Sequence, residues 1–163
     1  MAVKVTEQFV YLVNSNIGIA HKICRVYFDD VTDREDAFQE MMFQLWRSFP
    51  AFQSRSKFST WMYRVCLNTA LTFRKRPSIV TERLEDKHYE IAHHDDVKRE
   101  RLDALFSAIA KLSRIDKAII TMYLDKLSYD EIADITGLSK SNVSVKIFRI
   151  KQQLEKLIVT AKQ

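Results

Sequence analysis

Apolar residues recur every three or four positions along most of the chain, which is the spacing of an amphipathic helix. Thr32 and Glu35 have the spacing of a capping box at the start of one stripe, and Pro50 ends that stripe. A polar loop over 51–57 separates it from the next stripe. The pattern therefore predicts helices at 6–27, 32–49, 58–74, 102–112 and 116–124.

The strongest local pattern lies near the C-terminus. Ser128 and Glu131 form a second capping-box pair before a short apolar stripe, and Gly137 follows as a residue suited to a left-handed helix end. Ser139 can then cap a longer helix. A short helix, a glycine turn and a longer basic helix are typical of a helix-turn-helix, whose second helix enters the major groove of DNA. An ordinary helical hairpin is the alternative.

The 163-residue chain has only two glycines and two prolines, too few for the turns of a sandwich or barrel. We expect an all-α fold of two small helical domains, the second a helix-turn-helix. Residues 77–97 have few apolar positions and several acids, so we expect a flexible acidic linker there, with domains at 1–76 and 98–163. Gly18 and Gly137 are far apart, which excludes a glycine-rich phosphate loop.

Charge is segregated along the chain, although the net charge is only +5. Acidic residues crowd 29–40, whereas 41–81 contains no acid, seven bases and eight aromatic residues. From Leu138 onward the chain is basic again. Solvated helix faces explain any one such run, but bases interleaved with aromatic rings also suit binding of single-stranded nucleic acid.

Candidate catalytic and metal sites are weak. The acidic residues of 29–40 lie on one predicted helix without converging partners, so a nuclease-like magnesium site is disfavoured. His21, Cys24 and Cys66 do not make up four metal ligands, and buried inert thiols are the better interpretation. We expect no enzyme activity, no cofactor and no metal. No segment has the roughly 20 apolar residues of a membrane span, so we expect a cytoplasmic protein without membrane insertion.

Three motifs, in order, resemble the bacterial sigma factors of the extracytoplasmic-function group. The first is DREDAFQE over 33–40, followed by Leu45-Trp46. The second is FSTWMYRV over 58–65, followed by Asn68. The third is LSYDEIA over 127–133, followed by Gly137-Leu138-Ser139. Together they cover nearly the whole chain and are more specific than any one alone.

The resemblance implies a promoter-recognition subunit of RNA polymerase. Its expected partners are core polymerase, through the beta-prime clamp helices and the beta flap, double- and single-stranded promoter DNA, and an anti-sigma factor. The family surface that docks on the clamp helices corresponds here to Asp36, Gln39, Glu40 and Phe43. The N-terminal domain would recognise and melt the -10 element, and the C-terminal domain would recognise the -35 element.

The resemblance places -10 recognition in the loop 51–57 and on the helix that follows it. The candidate DNA contacts are Gln53, Ser54, Arg55, Lys57, Trp61, Arg64, Asn68, Arg74, Lys75 and Arg76. We expect the loop to fold back over the helix, so that it and Asn68 act together on an extruded base. Trp61 has a competing interpretation as a core residue. The run 74–76 suits phosphate contacts better than base contacts.

The candidate -35 contacts are Ser139, Lys140, Ser144, Val145, Lys146, Phe148, Arg149 and Lys151. The family often has a base where this chain has Ser144, and Val145 offers no hydrogen bond, although it could touch a thymine methyl. We therefore expect Lys146, Phe148 and Arg149 to contribute most to base recognition.

A second function is also compatible with the sequence. A transcriptional regulator could use the helix-turn-helix alone and bind double-stranded operators without polymerase, with the N-terminal unit binding another partner. Transcription reconstituted with core polymerase separates the two possibilities.

Overall fold

The computed structural model describes residues 2–73 and 96–161, and these residues are helical apart from short connections. The predicted all-α class is confirmed. The elements are α1 (Ala2–Tyr27), α2 (Val31–Ser48), a 3₁₀ turn (Phe49–Ala51), α3 (Phe58–Thr72), α4 (Asp96–Ala110), α5 (Arg114–Leu124), α6 (Tyr129–Thr136) and α7 (Lys140–Ala161). Within the described ranges, no helix is long and apolar enough to span a bilayer.

The helices form two domains, and the buried apolar residues of both belong to one core cluster. Helices α1, α2 and α3 pack against one another in the N-terminal domain, and α7 packs against α4, α5 and α6 in the C-terminal domain. The fully buried residues of the first domain include Ile23, Met41, Leu45, Met62 and Cys66. Those of the second include Ile119, Met122, Ile132, Ile147 and Ile150.

The start of α2 differs from its prediction. Asp30, not Thr32, is the N-cap, because its carboxylate accepts a hydrogen bond from the backbone N–H of Asp33 at 3.2 Å. Arg34 also ties this helix start to the end of α1, since its Nε donates to the carbonyl of Phe28 at 2.7 Å. An aspartate caps as well as a threonine, so spacing alone did not distinguish the two starts.

The other boundaries shift by a few residues. Helix α1 begins before the predicted Thr6, and α4 begins at Asp96, inside the predicted linker 77–97. The expected flexibility of that linker concerns residues that lie outside the described ranges, apart from its last two.

The caps predicted for the helix-turn-helix are confirmed. The Ser128 hydroxyl accepts from the N–H of Glu131 at 3.1 Å, and the Glu131 carboxylate accepts from the N–H of Ser128 at 2.8 Å. Gly137 ends α6 with φ of 75°, the left-handed region that glycine enters without strain. The Ser139 hydroxyl accepts from the N–H of Asn142 at 3.2 Å and so caps α7.

The two domains contact each other through α1 and α3 on one side and α4, α5 and α6 on the other. The Asp125 carboxylate, just after α5, accepts hydrogen bonds from the Lys22 ammonium and from the buried Tyr63 hydroxyl. At one edge of the interface, the Tyr27 hydroxyl donates to the carbonyl of Arg114 at 2.6 Å. Charged and polar pairs therefore hold the domains together.

Candidate functional site

A groove of about 720 Å³ lies between α2 and α3. All four residues predicted to dock on polymerase line it: Asp36, Gln39, Glu40 and Phe43. Glu40 accepts a hydrogen bond from the Gln44 side chain at 2.7 Å, and Phe43 is 54% exposed. The groove therefore combines acidic oxygens with an accessible aromatic ring.

Asn68 lies in this groove and not with the loop 51–57. It projects from α3 next to the docking residues of α2, and no residue of the loop lines the same groove. The expectation that the loop folds back over α3 to join Asn68 is therefore wrong for this arrangement. The reason is geometric, since Asn68 lies ten residues, about 15 Å along the axis, beyond the start of α3.

The loop before α3 is exposed but anchored at one end. Gln53, Ser54 and Arg55 are exposed, and Ser54 has φ of 52°, a left-handed conformation. Phe52 holds the loop to α3, because its ring centroid lies 5.6 Å from that of Phe58 and 5.0 Å from that of Trp61. The loop thus exposes amide, hydroxyl and guanidinium groups while its Phe52 end is packed against α3.

Half of the eight aromatic residues of 41–81 pack on one another instead of forming a stacking surface. Trp61 is partly buried among Phe49, Phe52 and Phe58, which supports its interpretation as a core residue without removing it from solvent. Tyr63 is 1% exposed. Phe49, Phe58 and Tyr63 are buried whereas Phe43 and Trp46 are exposed, so only some of the eight rings are available for stacking on DNA bases.

Two predicted -10 contacts, Lys57 and Arg64, lie at the interface between the domains, next to Thr60. The Thr60 hydroxyl donates to the Glu131 carboxylate at 3.1 Å, and the Lys57 ammonium lies 3.7 Å from the same carboxylate. Arg64 is exposed, and its guanidinium reaches the carbonyl of Asp134 at 3.4 Å. In this arrangement α6 covers part of the proposed DNA surface. The predicted contacts at 74–76 lie outside the described residues.

Two residues at the interface have shifted pKa values. The hydrogen bond from the Ser128 backbone, helped by those from the Ser128 and Thr60 side chains, holds the pKa of Glu131 below its ordinary value, against the effect of partial burial. Burial and the hydrogen bond to Asp125 raise the pKa of Tyr63 well above its ordinary value. Glu131 is thus kept ionised and Tyr63 protonated.

The C-terminal helix α7 presents one face to solvent in its first four turns. Val143, Ile147 and Ile150 face inward and are at most 2% exposed. Val145 and Phe148 point outward, at 48% and 64% exposure. Ser141, Arg149 and Gln152 are also exposed, together with Ser144. Sequence reasoning omitted Ser141 and Gln152, which the helical period counted from the buried positions would have identified.

Three of the four lysines of α7 contact side chains of other helices in the domain. Lys146 forms an ion pair with Asp116 of α5 at 2.9 Å, and both side chains are partly buried. Lys140 pairs with Asp130 at 2.9 Å, and Lys151 donates to the Tyr123 hydroxyl at 2.6 Å. Contrary to the expectation for base recognition, Lys146 therefore lies at the flank of the outward face and not at its centre.

The two cysteines are buried and unpaired. Burial raises the pKa of Cys24 to about 11 and that of Cys66 to about 12, so both are protonated at neutral pH. Across 2–73 and 96–161, no three histidine, cysteine or acidic side chains come together as metal ligands.

Comparison with known proteins identifies both domains. The family described as "Sigma-70 region 2" matches residues 12–78, and "Sigma-70, region 4" matches residues 102–154. The "ECF RNA polymerase sigma-E factor" of Haemophilus influenzae is 31% identical over 141 residues, 77% of this chain and 75% of that protein. Its Escherichia coli K12 counterpart is 29% identical over 138 residues, 76% and 72% of the two chains.

Two solved structures share the fold. CnrH, in complex with the cytosolic domain of CnrY, gives a TM-score of 0.69 at 21% identity over 95% of this chain and 90% of that one. The sigma factor RpoE, in complex with the anti-sigma factor NepR from Bartonella quintana, gives 0.62 at 16% identity over 94% and 95%.

Proposed function

Because the chain belongs to the extracytoplasmic-function sigma factors, we propose that its two domains divide the recognition of a promoter between them. The protein directs promoter-specific transcription initiation and is not an enzyme. In the proposed division, 1–76 docks on core RNA polymerase and acts on the -10 element, and 98–163 binds the -35 element. Residues 77–97 connect the two.

The groove between α2 and α3 is the proposed docking site for the beta-prime clamp helices. Its acidic oxygens suit a basic partner, and exposed Phe43 adds apolar area at its centre. An acidic surface on a DNA-binding protein would repel phosphate, so this face suits a protein partner better than DNA. The presence of all four predicted residues in one groove is the observation that carries this assignment.

The loop 51–57 is the proposed surface for single-stranded -10 DNA. Gln53 and Ser54 can form hydrogen bonds with an extruded base, and Arg55 can hold a phosphate. Asn68 shares the docking groove, so it is assigned a base contact only if the melted strand passes along the rim of that groove.

Promoter binding requires the domains to separate. Where the domains are in contact, Lys57 and Arg64 lie beside α6 although both remain exposed, so the C-terminal domain restricts the approach of a DNA strand to them. The two domains are also assigned to two separate elements of the promoter, so each must reach its own stretch of DNA. Docking on polymerase would supply the free energy that separates them.

An anti-sigma factor is a further proposed partner. The structure of RpoE was solved with the anti-sigma factor NepR, and the fold of RpoE matches 94% of this chain. Such a partner would oppose initiation by holding the domains together. Binding of an anti-sigma protein should then lower the rate at which this chain associates with core polymerase.

Reconstituted initiation tests the proposed function. The full chain is mixed with core polymerase on templates randomised at the -35 and -10 positions, and the transcripts are sequenced. Transcripts that begin a fixed distance from an enriched pair of elements are expected. A chain that binds duplex DNA but starts no transcript would instead be the polymerase-independent regulator.

A further inference from the structure

The loop before α3 is attached to that helix at both of its ends. At the start of the loop, the ring centroid of Phe52 lies 5.6 Å from that of Phe58 and 5.0 Å from that of Trp61. At its end, the carbonyl of Lys57 accepts a hydrogen bond from the backbone N–H of Trp61 at 3.1 Å. Both attachments therefore involve the first turn of α3, and residues 53–56 lie between them.

Phe52 is also held by the 3₁₀ turn that follows α2. Its backbone N–H donates to the carbonyl of Phe49 at 2.9 Å, and the two rings stack with their centroids 6.2 Å apart. Pro50 lies within this turn and restricts the backbone there. Phe49 is buried, so the partly buried ring of Phe52 rests on the core and not on another loop.

The residues between the two attachments have a defined backbone although they are exposed. Ser54 has φ of 52°, and a residue other than glycine keeps a left-handed conformation where the surrounding structure holds it. Gln53, Ser54 and Arg55 are exposed, so the restraint comes from the ends of the loop. Lys57 is attached to α3 through its carbonyl. Phe52 is therefore the attachment that a change of side chain can remove.

A loop that recognises an extruded base must hold its polar groups in one place. Hydrogen bonds weaken steeply when their distance and angle are wrong. A mobile loop also loses conformational freedom each time it binds, whereas a loop that is already ordered does not. An anchored loop should therefore distinguish one base from another better than a free loop of the same sequence.

On this basis, and resting on the proposed -10 function of loop 51–57, we propose that Phe52 is a positioning residue for promoter recognition. Its ring packs on the protein side of the loop and acts through Gln53 and Ser54, which it holds where they can bond to a base. The base preference at the -10 element therefore depends on an aromatic contact that involves no DNA.

Base discrimination is measured with holoenzyme, that is, the full chain bound to core polymerase. A -10 sequence is first enriched from a randomised library with wild-type holoenzyme. Each enriched base is then replaced by the other three, and discrimination is the ratio of the rates of open-complex formation on the two templates. Gln53→Ala and Ser54→Ala identify the position that the loop recognises, because discrimination falls there.

Loss of the ring should lower discrimination at that position. The expected decrease for Phe52→Ala is about tenfold, the loss that follows when about one residue must be ordered on binding. Discrimination at the other positions and affinity for core polymerase should be unchanged. Phe52→Tyr keeps the ring and should restore the wild-type ratio. Should the helix content of Phe52→Ala fall, Phe52→Leu keeps apolar volume and should still reduce discrimination several-fold.

Phe9→Ala is the matched control. Phe9 is another partly buried ring, and its centroid lies 5.1 Å from that of Phe49, but it packs from α1 and not from the loop. Its removal should lower stability without changing base discrimination.

Tryptophan fluorescence reports whether the intended contact is lost. The chain has two tryptophans, so Trp46→Phe leaves Trp61 as the only one. In this background, Phe52→Ala should shift the emission of Trp61 to longer wavelength, because the ring that covers its indole is gone. Circular dichroism should show unchanged helix content.

Three results would overturn the inference. The first is an unchanged Trp61 emission in Phe52→Ala, and the second is full base discrimination despite a shifted emission. The third is an equal loss of discrimination in Phe52→Ala and Phe9→Ala, which would make the loss an effect of stability alone. If Gln53→Ala and Ser54→Ala change no base preference, the proposed role of the loop itself fails, so the two failures are distinguishable.

Discussion

The hydroxyl of Tyr63 donates a hydrogen bond across the domain interface to the carboxylate of Asp125. Tyr63 is buried in the N-terminal domain, whereas Asp125 follows α5 in the C-terminal domain and also binds Lys22. One carboxylate therefore holds both a neutral donor and a cation of the other domain.

Removing this carboxylate should loosen the interface. Asp125→Ala leaves the Tyr63 hydroxyl without its acceptor and Lys22 without its ion pair, and hydrogen bonds to charged groups contribute about 1.5–3 kcal/mol. We expect the radius of gyration of the chain, measured by small-angle X-ray scattering, to increase while the helix content is unchanged. Asp134→Ala is the control, because that carboxylate is exposed on α6. Equal radii for Asp125→Ala and wild type would show that the interface does not depend on Asp125.

Charge reversal in the groove between α2 and α3 should weaken binding to core polymerase. Asp36→Lys with Glu40→Lys should weaken binding to core polymerase at least tenfold, or about 1.4 kcal/mol, because both acids line the groove. Affinity is measured by titrating labelled protein with core polymerase. Asp29→Lys with Glu35→Lys introduces the same change of charge on two exposed residues outside the groove and should have little effect. Equal losses in the two variants would mean that net charge, not the groove, governs docking.

The two glycines should respond oppositely to alanine. Gly137 has φ of 75°, so Gly137→Ala should lower the free energy of unfolding by about 1 kcal/mol. Gly18 lies within α1 with open space around it, so Gly18→Ala should raise that free energy by about 0.5–1 kcal/mol. Urea unfolding followed by circular dichroism measures both. A stabilising Gly137→Ala would contradict the left-handed helix end.

Glu131 should make stability depend on pH. Its pKa is lower in the folded chain than the ordinary 4.5, so ionised Glu131 stabilises the fold above that value, and the stabilisation is lost as pH falls through the folded pKa. At neutral pH the free energy of unfolding of wild type, measured by urea titration, should therefore exceed that of Glu131→Gln by about 0.5–2 kcal/mol. In acid the two free energies should converge. Glu155→Gln, on an exposed part of α7, is the control, and its free energy of unfolding should not differ from that of wild type by a gap that closes in acid. A gap between wild type and Glu131→Gln that is constant with pH would rule out ionisation as its source.

Much of the fold could be predicted from local signals. The capping pair Ser128–Glu131 and the glycine at 137 act within a few residues, so their spacing alone located the helix-turn-helix. Asp30 was missed as the N-cap of α2 because Thr32, two residues later, is an equally acceptable cap in the sequence. Helical periods likewise indicated which residues face inward on α2 and α7.

Properties that depend on contacts distant in the sequence could not be predicted. Lys146 looked like a base-contacting residue until α5 placed Asp116 beside it, 30 residues away. The contact between Thr60 and Glu131 joins residues 71 positions apart. The aromatic residues before and within α3 appeared as a stacking surface because a one-dimensional pattern does not show that they pack on one another.

The division of labour between the domains is tested most directly by abortive initiation on two templates that differ only in their -35 element, one intact and one scrambled. Wild-type holoenzyme should be more active on the intact template. The variant with Asp36→Lys and Glu40→Lys should lose activity on both templates, because docking precedes any DNA contact. Val145→Ala with Phe148→Ala should lose only the preference and match wild type on the scrambled template. A loss of activity on the scrambled template by the α7 variant, equal to its loss on the intact one, would contradict the account.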